Sequence, residues 1–439
     1  MTRMARRTAL LAPLALGGCS LWDDWFSTKK TPLPGKREPI LGGRRTLRVD
    51  DGAPKVVLPP EVSNAAWPQA GGNPAHFMGH LAAAERLTEA WSANIGAGGG
   101  YRRKIMAQPV AADGLVYAMD SDAVVSAHDM AGGGRVWKFD TKGEDDDSSN
   151  VGGGLALDQG TLYAVNGLAE LVALDARNGT VRWRSNFGAP TRSAPTVVEG
   201  RIFVTTIEDK LLSLAGDNGR QLWAHQAANA VTSVLGRPAP AYAGGLVVAG
   251  FGSGELATLR AETGNPVWTD NLAAATRTGS LADFAAIRGL PVVGDGRVYA
   301  IGMGGLLVAV ELPTGRRLWE RDVASEDSLW AAGDWLFLIS LDQRLAAVNR
   351  EDGRVSWVTD LPRWDNPEKQ SDPITWFGPL LVGDRLVVAG TSHQALAVSP
   401  YTGEILGRQK LSGAASLGPI AAGGIVFVVT DDGRLLALR

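Results

Sequence analysis

Cysteine is almost missing from this chain. Among 439 residues there is one, Cys19, so no internal disulfide can form and no redox-active cysteine pair is available. Excess positive charge is missing too: 43 Lys and Arg stand against 46 Asp and Glu, which recommends no nucleic-acid partner. Long apolar runs are confined to Ala9–Leu16, too short to span a bilayer. No stretch carries helical periodicity long enough for a separate helical domain. Nucleophile-elbow, phosphate-loop and C-x-x-C motifs do not occur, which removes the commonest hydrolase, nucleotide and thiol chemistries.

What the chain does have is glycine, 55 residues, tryptophan, 14 residues, and a repeat. The stretch VALDARNGTVRW, ending at Trp183, reads as an apolar strand, a tight turn and a second strand closed by tryptophan. It recurs with ends at Trp137, Trp223, Trp268, Trp319 and Trp357, and once more with Gly407 in the tryptophan place. The intervals run from 38 to 51 residues. A period in the forties with alternating β-type patterning means propeller blades of about four short strands. Gly179, Gly219, Gly264, Gly315, Gly353 and Gly403 fall where the hairpin loop needs positive φ. Ahead of each hairpin a second unit recurs, as in PVAADGLVY (109–117) and PVVGDGRVY (291–299), and reads as the two inner strands. Small Ala in the third strand is expected to let a neighbouring sheet approach, and each tryptophan to bury on the adjacent blade.

The third-strand pattern occurs eight times, the last as RLLALR at the carboxyl end with no turn or tryptophan after it. The missing outer strand stands at the other end of the repeat region, in RLTEAWSANIG with Trp91, one period before Trp137. The expectation is an all-β, eight-bladed propeller over about residues 86–439, closed by pairing of an N-terminal with the C-terminal strand, which removes exposed sheet edges.

Residues 1–18 have a basic start, an apolar core and small residues before Cys19, the pattern of a secretory signal. The LGGC end resembles the lipobox of bacterial lipoproteins, which makes Cys19 the lipidated first residue of the mature chain. Ser20 in place of aspartate resembles lipoproteins sorted to the outer membrane. Residues 19–64 are Pro- and charge-rich and read as an extended tether. A strap segment, 65–85, containing WPQAGGNPAH, precedes the blades.

Candidate chemistry is thin. The A-x-D-x-x-x-G-x-x-x-W repeat resembles that of quinoprotein dehydrogenases, which implies Ca²⁺, a quinone, a catalytic Asp and an adjacent cysteine pair. Here the single cysteine is committed to lipid and no Ca²⁺-ligand set stands out, while Asp175, Asp217 and Glu262 sit at hairpin turns as turn-capping acids. Glu144–Asp147 lacks the ligand spacing of a calcium loop and reads as a solvated loop. His76 and His80 stand four apart in a loop-like context without an adjacent acid, so no metal site is expected. A ligand-binding propeller would need an aromatic pocket, for which Trp364 and Trp376 are the candidates.

Lipobox, tether, strap and eight tryptophan-bearing blades together resemble the BamB family, propeller lipoproteins of the outer-membrane β-barrel assembly machine. The resemblance implies a non-enzymatic scaffold without cofactor, lipid-anchored at the periplasmic face of the outer membrane. It also implies docking on the periplasmic domains of the barrel-inserting subunit, with unfolded outer-membrane proteins as a further possible client. Longer periods gain their excess between the tryptophan and the next inner strand, at 143–150, 226–237, 271–289 and 361–376, and all such connections share one face, where binding residues concentrate. Relatives in the family dock through an arginine beside leucines in one such loop and acids in the next. The matching loops here hold Leu235 and Arg237, then Asp283 and Arg288, with the arginine displaced by about two positions and the second acid absent.

Overall fold

The computed structural model describes residues 47–100, 103–143, 150–230, 236–273 and 285–439. Cys19, Leu235, Asp283 and Glu144–Asp147 therefore lie outside the described residues. Eight four-stranded antiparallel sheets make up the body of the chain. Seven are continuous in sequence: blade 1 spans 110–140, blade 2 154–186, blade 3 196–226, blade 4 241–271, blade 5 292–322, blade 6 330–360 and blade 7 376–410. Blade 8 takes three strands from 420–438 and its outer strand from Glu89–Asn94, which pairs antiparallel with Arg434–Leu438. The expected closure is therefore present, with Trp91 opposite Ala437.

Six of the eight blades follow one packing scheme, and the cross-strand register explains the repeat. In blade 1, Tyr117 on the second strand and Trp137 on the fourth both pair with Ala127 between them. Their rings meet over that methyl group at 5.9 Å between centroids. Tyr163 with Trp183 over Ala173, Phe337 with Trp357 over Ala347, and Phe427 with Trp91 over Ala437 repeat the arrangement. The small third-strand residue thus lets two rings of its own sheet touch, a tighter reason than the approach of a neighbouring sheet.

The tryptophans then join blades. The Trp268 ring lies under the turn of blade 5, where Gly315 has φ +75° and a Cβ would stand 2.6 Å from the ring. Only glycine tolerates both the conformation and the contact. Gly133 meets Trp91, Gly179 Trp137, Gly219 Trp183, Gly264 Trp223, Gly353 Trp319 and Gly403 Trp357 in the same way. Six of these seven indoles, all but Trp183, donate Nε1–H to a backbone carbonyl of the next blade at 2.6–3.1 Å. Beyond Trp183 the equivalent carbonyl, Gly216, accepts from the Tyr163 hydroxyl instead. Blade 7 would need to stack on a turn of blade 8, but the outer strand of blade 8 comes from the other end of the chain and no turn exists. Gly407 there has open space around it, which accounts for the one missing tryptophan.

A second belt runs inside the ring. The segment 62–82 visits the innermost strand of every blade in circular order. Asn64 bonds to Ala421 and Gly423 of blade 8, Trp67 exchanges backbone bonds with Ala111 of blade 1, and the Pro68 carbonyl accepts from Leu157 of blade 2. At blade 3 the main chain turns away, and the Gln69 side-chain amide substitutes for a peptide group, accepting from Val197 N–H at 3.0 Å and facing its carbonyl. Pro74 then bonds blade 4 through Tyr242, Ala75 blade 5 through Val293, Gly79 blade 6 through Ala331 and Leu81 blade 7 through Gly383. Val62 and Leu81 bridge each other, so the belt closes on itself between blades 7 and 8.

Residues 47–64 were expected to belong to a free tether, but the described part, from 47, packs on the ring. Asp50 donates its amide to Val355 and pairs with Arg321, and the carbonyls of Gly52 and Pro54 accept from Arg354 and Ser356. The segment thereby covers the outer edge strand of blade 6, Val355–Asp360, a use of proline-rich chain that composition alone does not disclose.

Candidate functional site

Strand direction sorts the connections by face. The turn after each innermost strand lies at one end of the ring, and the connection that enters it at the other. The belt occupies the turn side, with Phe77 against Gly294 and Pro59 against Gly333. The entering connections, including 361–376 and the described ends of the other three long ones, occupy the opposite face. The hairpin Trp364–Asn366 with Ser371–Pro373 stands on the longest described one.

On the ring axis these connections surround a cavity of about 590 Å³, lined by residues drawn from 104–108, 153, 192–194, 236–239, 288–290, 326–329, 375–379 and 414–419. All eight blades contribute. Trp67, Ala70, Gly71 and His76 of the belt form its floor. Trp67, which bonds to blade 1, stacks on Trp330 of blade 6 at 6.1 Å and 19°, so one side chain spans the channel. His76 Nδ1 donates to the Pro291 carbonyl, 2.7 Å away, which fixes Nδ1 as the protonated nitrogen. Nε2 is buried without a partner, and burial lowers the His76 pKa to about 4. The imidazole is thus neutral across the working range.

Two of the cations lining the cavity are paired within the protein. Arg237 is buried, and its Nε donates to Asp209 Oδ1 at 3.0 Å. The same carboxylate oxygen accepts from Gly252 N–H, so one ion pair ties the end of the 226–237 loop to blades 3 and 4. Arg288 pairs with Glu326 across the next blade junction. The neighbouring Asp327 carboxyl is pushed well above the usual carboxylate range, by burial first and by Glu326 second, against the pull of Arg288. Of the four expected docking residues, the structure thus brings Arg237 and Arg288 to the wall of one cavity. Arg237 presents almost no surface, and sequence reasoning missed its partner because Asp209 lies 28 residues away in a turn of the preceding blade. A shallower hollow of about 370 Å³ flanks Arg237 on the loop face, between Ile207–Lys210 and Gln226–Ala230.

Trp364 and Trp376 do not form an aromatic pocket together. Trp376 is fully buried with Nε1 on the Pro362 carbonyl, and Trp364 is half-buried on the hairpin. The cavity residues also fit a quinone and Ca²⁺ poorly. Among the described residues, the only cluster of three potential metal-holding side chains is Glu61, His80 and Asp384, on the turn side and not in the cavity. Glu326 is held by Arg288, and the floor is closed by Trp67.

A family model described as outer membrane protein assembly factor BamB matches residues 121–359 and 362–439. The chain belongs to that family. It is similar to the assembly factor BamB of Shewanella oneidensis, 27% identical over 354 residues, covering 79% of this chain and 87% of that one. It is similar to BamB of Escherichia coli K12, 26% identical over 358 residues, covering 80% and 88%. Among solved structures, BamB from Moraxella catarrhalis superposes with a TM-score of 0.68 at 22% identity, over 80% of this chain and 99% of that one. The quinohemoprotein alcohol dehydrogenase of Comamonas testosteroni shares the fold at TM-score 0.65 and 15% identity, over 85% of this chain and 80% of that one.

Proposed function

We propose that the chain is a non-enzymatic scaffold for assembling β-barrel proteins into the outer membrane. Lipid on Cys19 holds it at the periplasmic face, and its loop face docks on the periplasmic domains of the barrel-inserting subunit. The observation that carries this reading is the segregation of faces. One end of the ring is occupied by the belt, while the other gathers the connections between blades around a recess in which Arg237 and Arg288 are paired with Asp209 and Glu326. A rigid ring presenting variable loops on one face is an adaptor geometry, and pre-paired charges lower the desolvation left for a partner to compensate.

Leu235 and Asp283 would supply the apolar anchor and an acid, with Arg288 at the cavity rim as a cationic contact. Arg237 would act through Asp209 by holding the loop that carries Leu235. Co-purification with the barrel-inserting subunit from detergent-solubilised envelopes tests this. Leu235→Glu and Asp283→Arg together should abolish it with the melting curve unchanged, and unaltered co-purification by the folded double variant removes the docking assignment. Arg237→Glu is the wrong probe, since it would put a second buried carboxylate beside Asp209. Dye reduction with alcohols after loading PQQ and Ca²⁺ would overturn the non-enzymatic reading.

A further inference from the structure

At the 7–8 junction, the one blade contact without a tryptophan, the two ends of the belt meet. Three metal-competent side chains meet there as well. His80 is on the departing end of the belt, Glu61 on the entering end, and Asp384 in the first turn of blade 7. His80 Nε2 stands 3.7 Å from Glu61 Oε1 and 3.8 Å from Asp384 Oδ1. A tetrahedral ion with ligands at ~2.0–2.2 Å separates its donors by about 3.3–3.6 Å, so each carboxylate needs to approach the imidazole only by tenths of an ångström, and all three donor atoms already lie within 4.8 Å of one another. Both carboxylates keep solvent access, with 34% and 63% of their side chains exposed, whereas His80 is 3% exposed. The carboxylates can move and the imidazole cannot.

The imidazole is oriented for the task. Nδ1 lies 2.9 Å from the Pro59 carbonyl, which sets Nδ1 as the donor and leaves the Nε2 lone pair directed at the two acids. An outer hydrogen bond of this kind typically orients a metal-binding histidine. Only the Asp384 backbone N–H, at 3.2 Å, now reaches Nε2. Asp384 itself has φ +49°, at a turn position that six other blades fill with glycine, namely Gly114, Gly160, Gly200, Gly245, Gly296 and Gly424. Blade 6 places Asp334 at the same position, and in blade 7 the Tyr401 hydroxyl donates to Asp384 Oδ1.

We propose that Glu61, His80 and Asp384 bind a divalent transition-metal ion of the zinc type, one nitrogen and two carboxylate oxygens with water completing the shell. One imidazole with carboxylates suits borderline ions of this class. The ion staples both ends of the belt to blade 7 where the outer tryptophan contact is absent. Arg385, whose charge acts on Glu61 and Asp384, is engaged on the carbonyls of Ala84 and Glu85.

The test is isothermal titration of the untagged, EDTA-treated full chain with Zn²⁺, paired with melting curves. Wild type should take up one ion per chain and melt higher with Zn²⁺ than with EDTA. Glu61→Gln and Asp384→Asn, which alter exposed carboxylates, should each weaken binding by about tenfold or more and abolish the Zn²⁺-dependent rise while melting normally in EDTA. Absence of binding at roughly tenfold molar excess of Zn²⁺, where linkage would still register a tight site, overturns the proposal. Binding that the double variant leaves unchanged overturns it equally, since the ion then sits elsewhere.

Discussion

The outer and inner belts solve the same problem, joining eight sheets into a ring, by opposite means. The outer one is local and repeated: a tryptophan, a glycine turn and a carbonyl, used at seven junctions. The inner one is a single strand of chain that reaches all eight blades in turn, through contacts that do not repeat. The contrast teaches where robustness lies. Loss of one outer contact leaves six like it, whereas the inner belt is a series in which each link holds the next. The largest apolar cluster joins blades 6, 7, 8 and 1 with Trp67 and Leu81 of the belt, so the seam depends most on the inner one.

Several variants would break or sharpen that contrast, and the largest effect comes from neither belt alone. Truncation before Arg434 removes the strand that pairs with Glu89–Asn94. It should abolish the soluble monomer seen by size exclusion, because two long edges become exposed. Trp67→Ala removes the residue that spans the channel, and a cost of about 3–5 kcal/mol is expected in denaturant unfolding. It should exceed the cost of any single outer tryptophan, and equal costs would refute the serial view of the inner belt.

The inner belt also has a pH signature. The His76 pKa, near 6.5 in the unfolded chain, falls to about 4 on folding, so the unfolded state binds its proton first as pH drops. The stability contributed by neutral His76 is complete above about 6.5 and is lost between there and about 4, by about 3 kcal/mol in all. His76→Asn, which suits the residue's left-handed φ of 58°, should flatten stability over that window relative to wild type.

For the outer belt, Gly315→Ala carries both positive φ and the Trp268 contact, whereas Gly114→Ala carries positive φ with open space around it. The first should cost about 1–3 kcal/mol more than the second, and Trp268→Ala should remove much of that difference in a double-mutant cycle. The smallest effect expected is Gln69→Leu, about 1–3 kcal/mol for leaving the Val197 amide and carbonyl unpaired. Hydrogen exchange should then rise at Val197 and not at Leu157, which is bonded by backbone.

Much of the ring was legible because it is periodic. A tryptophan every 38 to 51 residues reports the same local geometry each time, and the orphan RLLALR together with the orphan Trp91 dictated closure. A second reason for the third-strand alanine, two rings meeting over Ala127, is not legible in the sequence, since it is a matter of cross-strand register. The strap was visible as a segment but not as a belt: its partners are eight separate strands and nothing in WPQAGGNPAH repeats. Of the candidate docking residues, Arg237 was read as a surface contact from its place in a long loop. The Asp209 carboxylate that buries it belongs to another blade's turn, and no local pattern announces it. His76 and His80 are neighbours in sequence only; His80 meets Glu61 and Asp384, the latter 304 residues on.

By itself the sequence determined the blade, the blade number, the closing pair and the family, because each rests on contacts between residues a few positions apart or on their recurrence. Tertiary structure alone decided which residues meet across the ring: the path of the belt, the burial of Arg237, the neutral His76 and the three donors at the 7–8 junction. Those contacts join segments distant in the chain, and their energies depend on desolvation and distance, which exist only once the sheets have stacked.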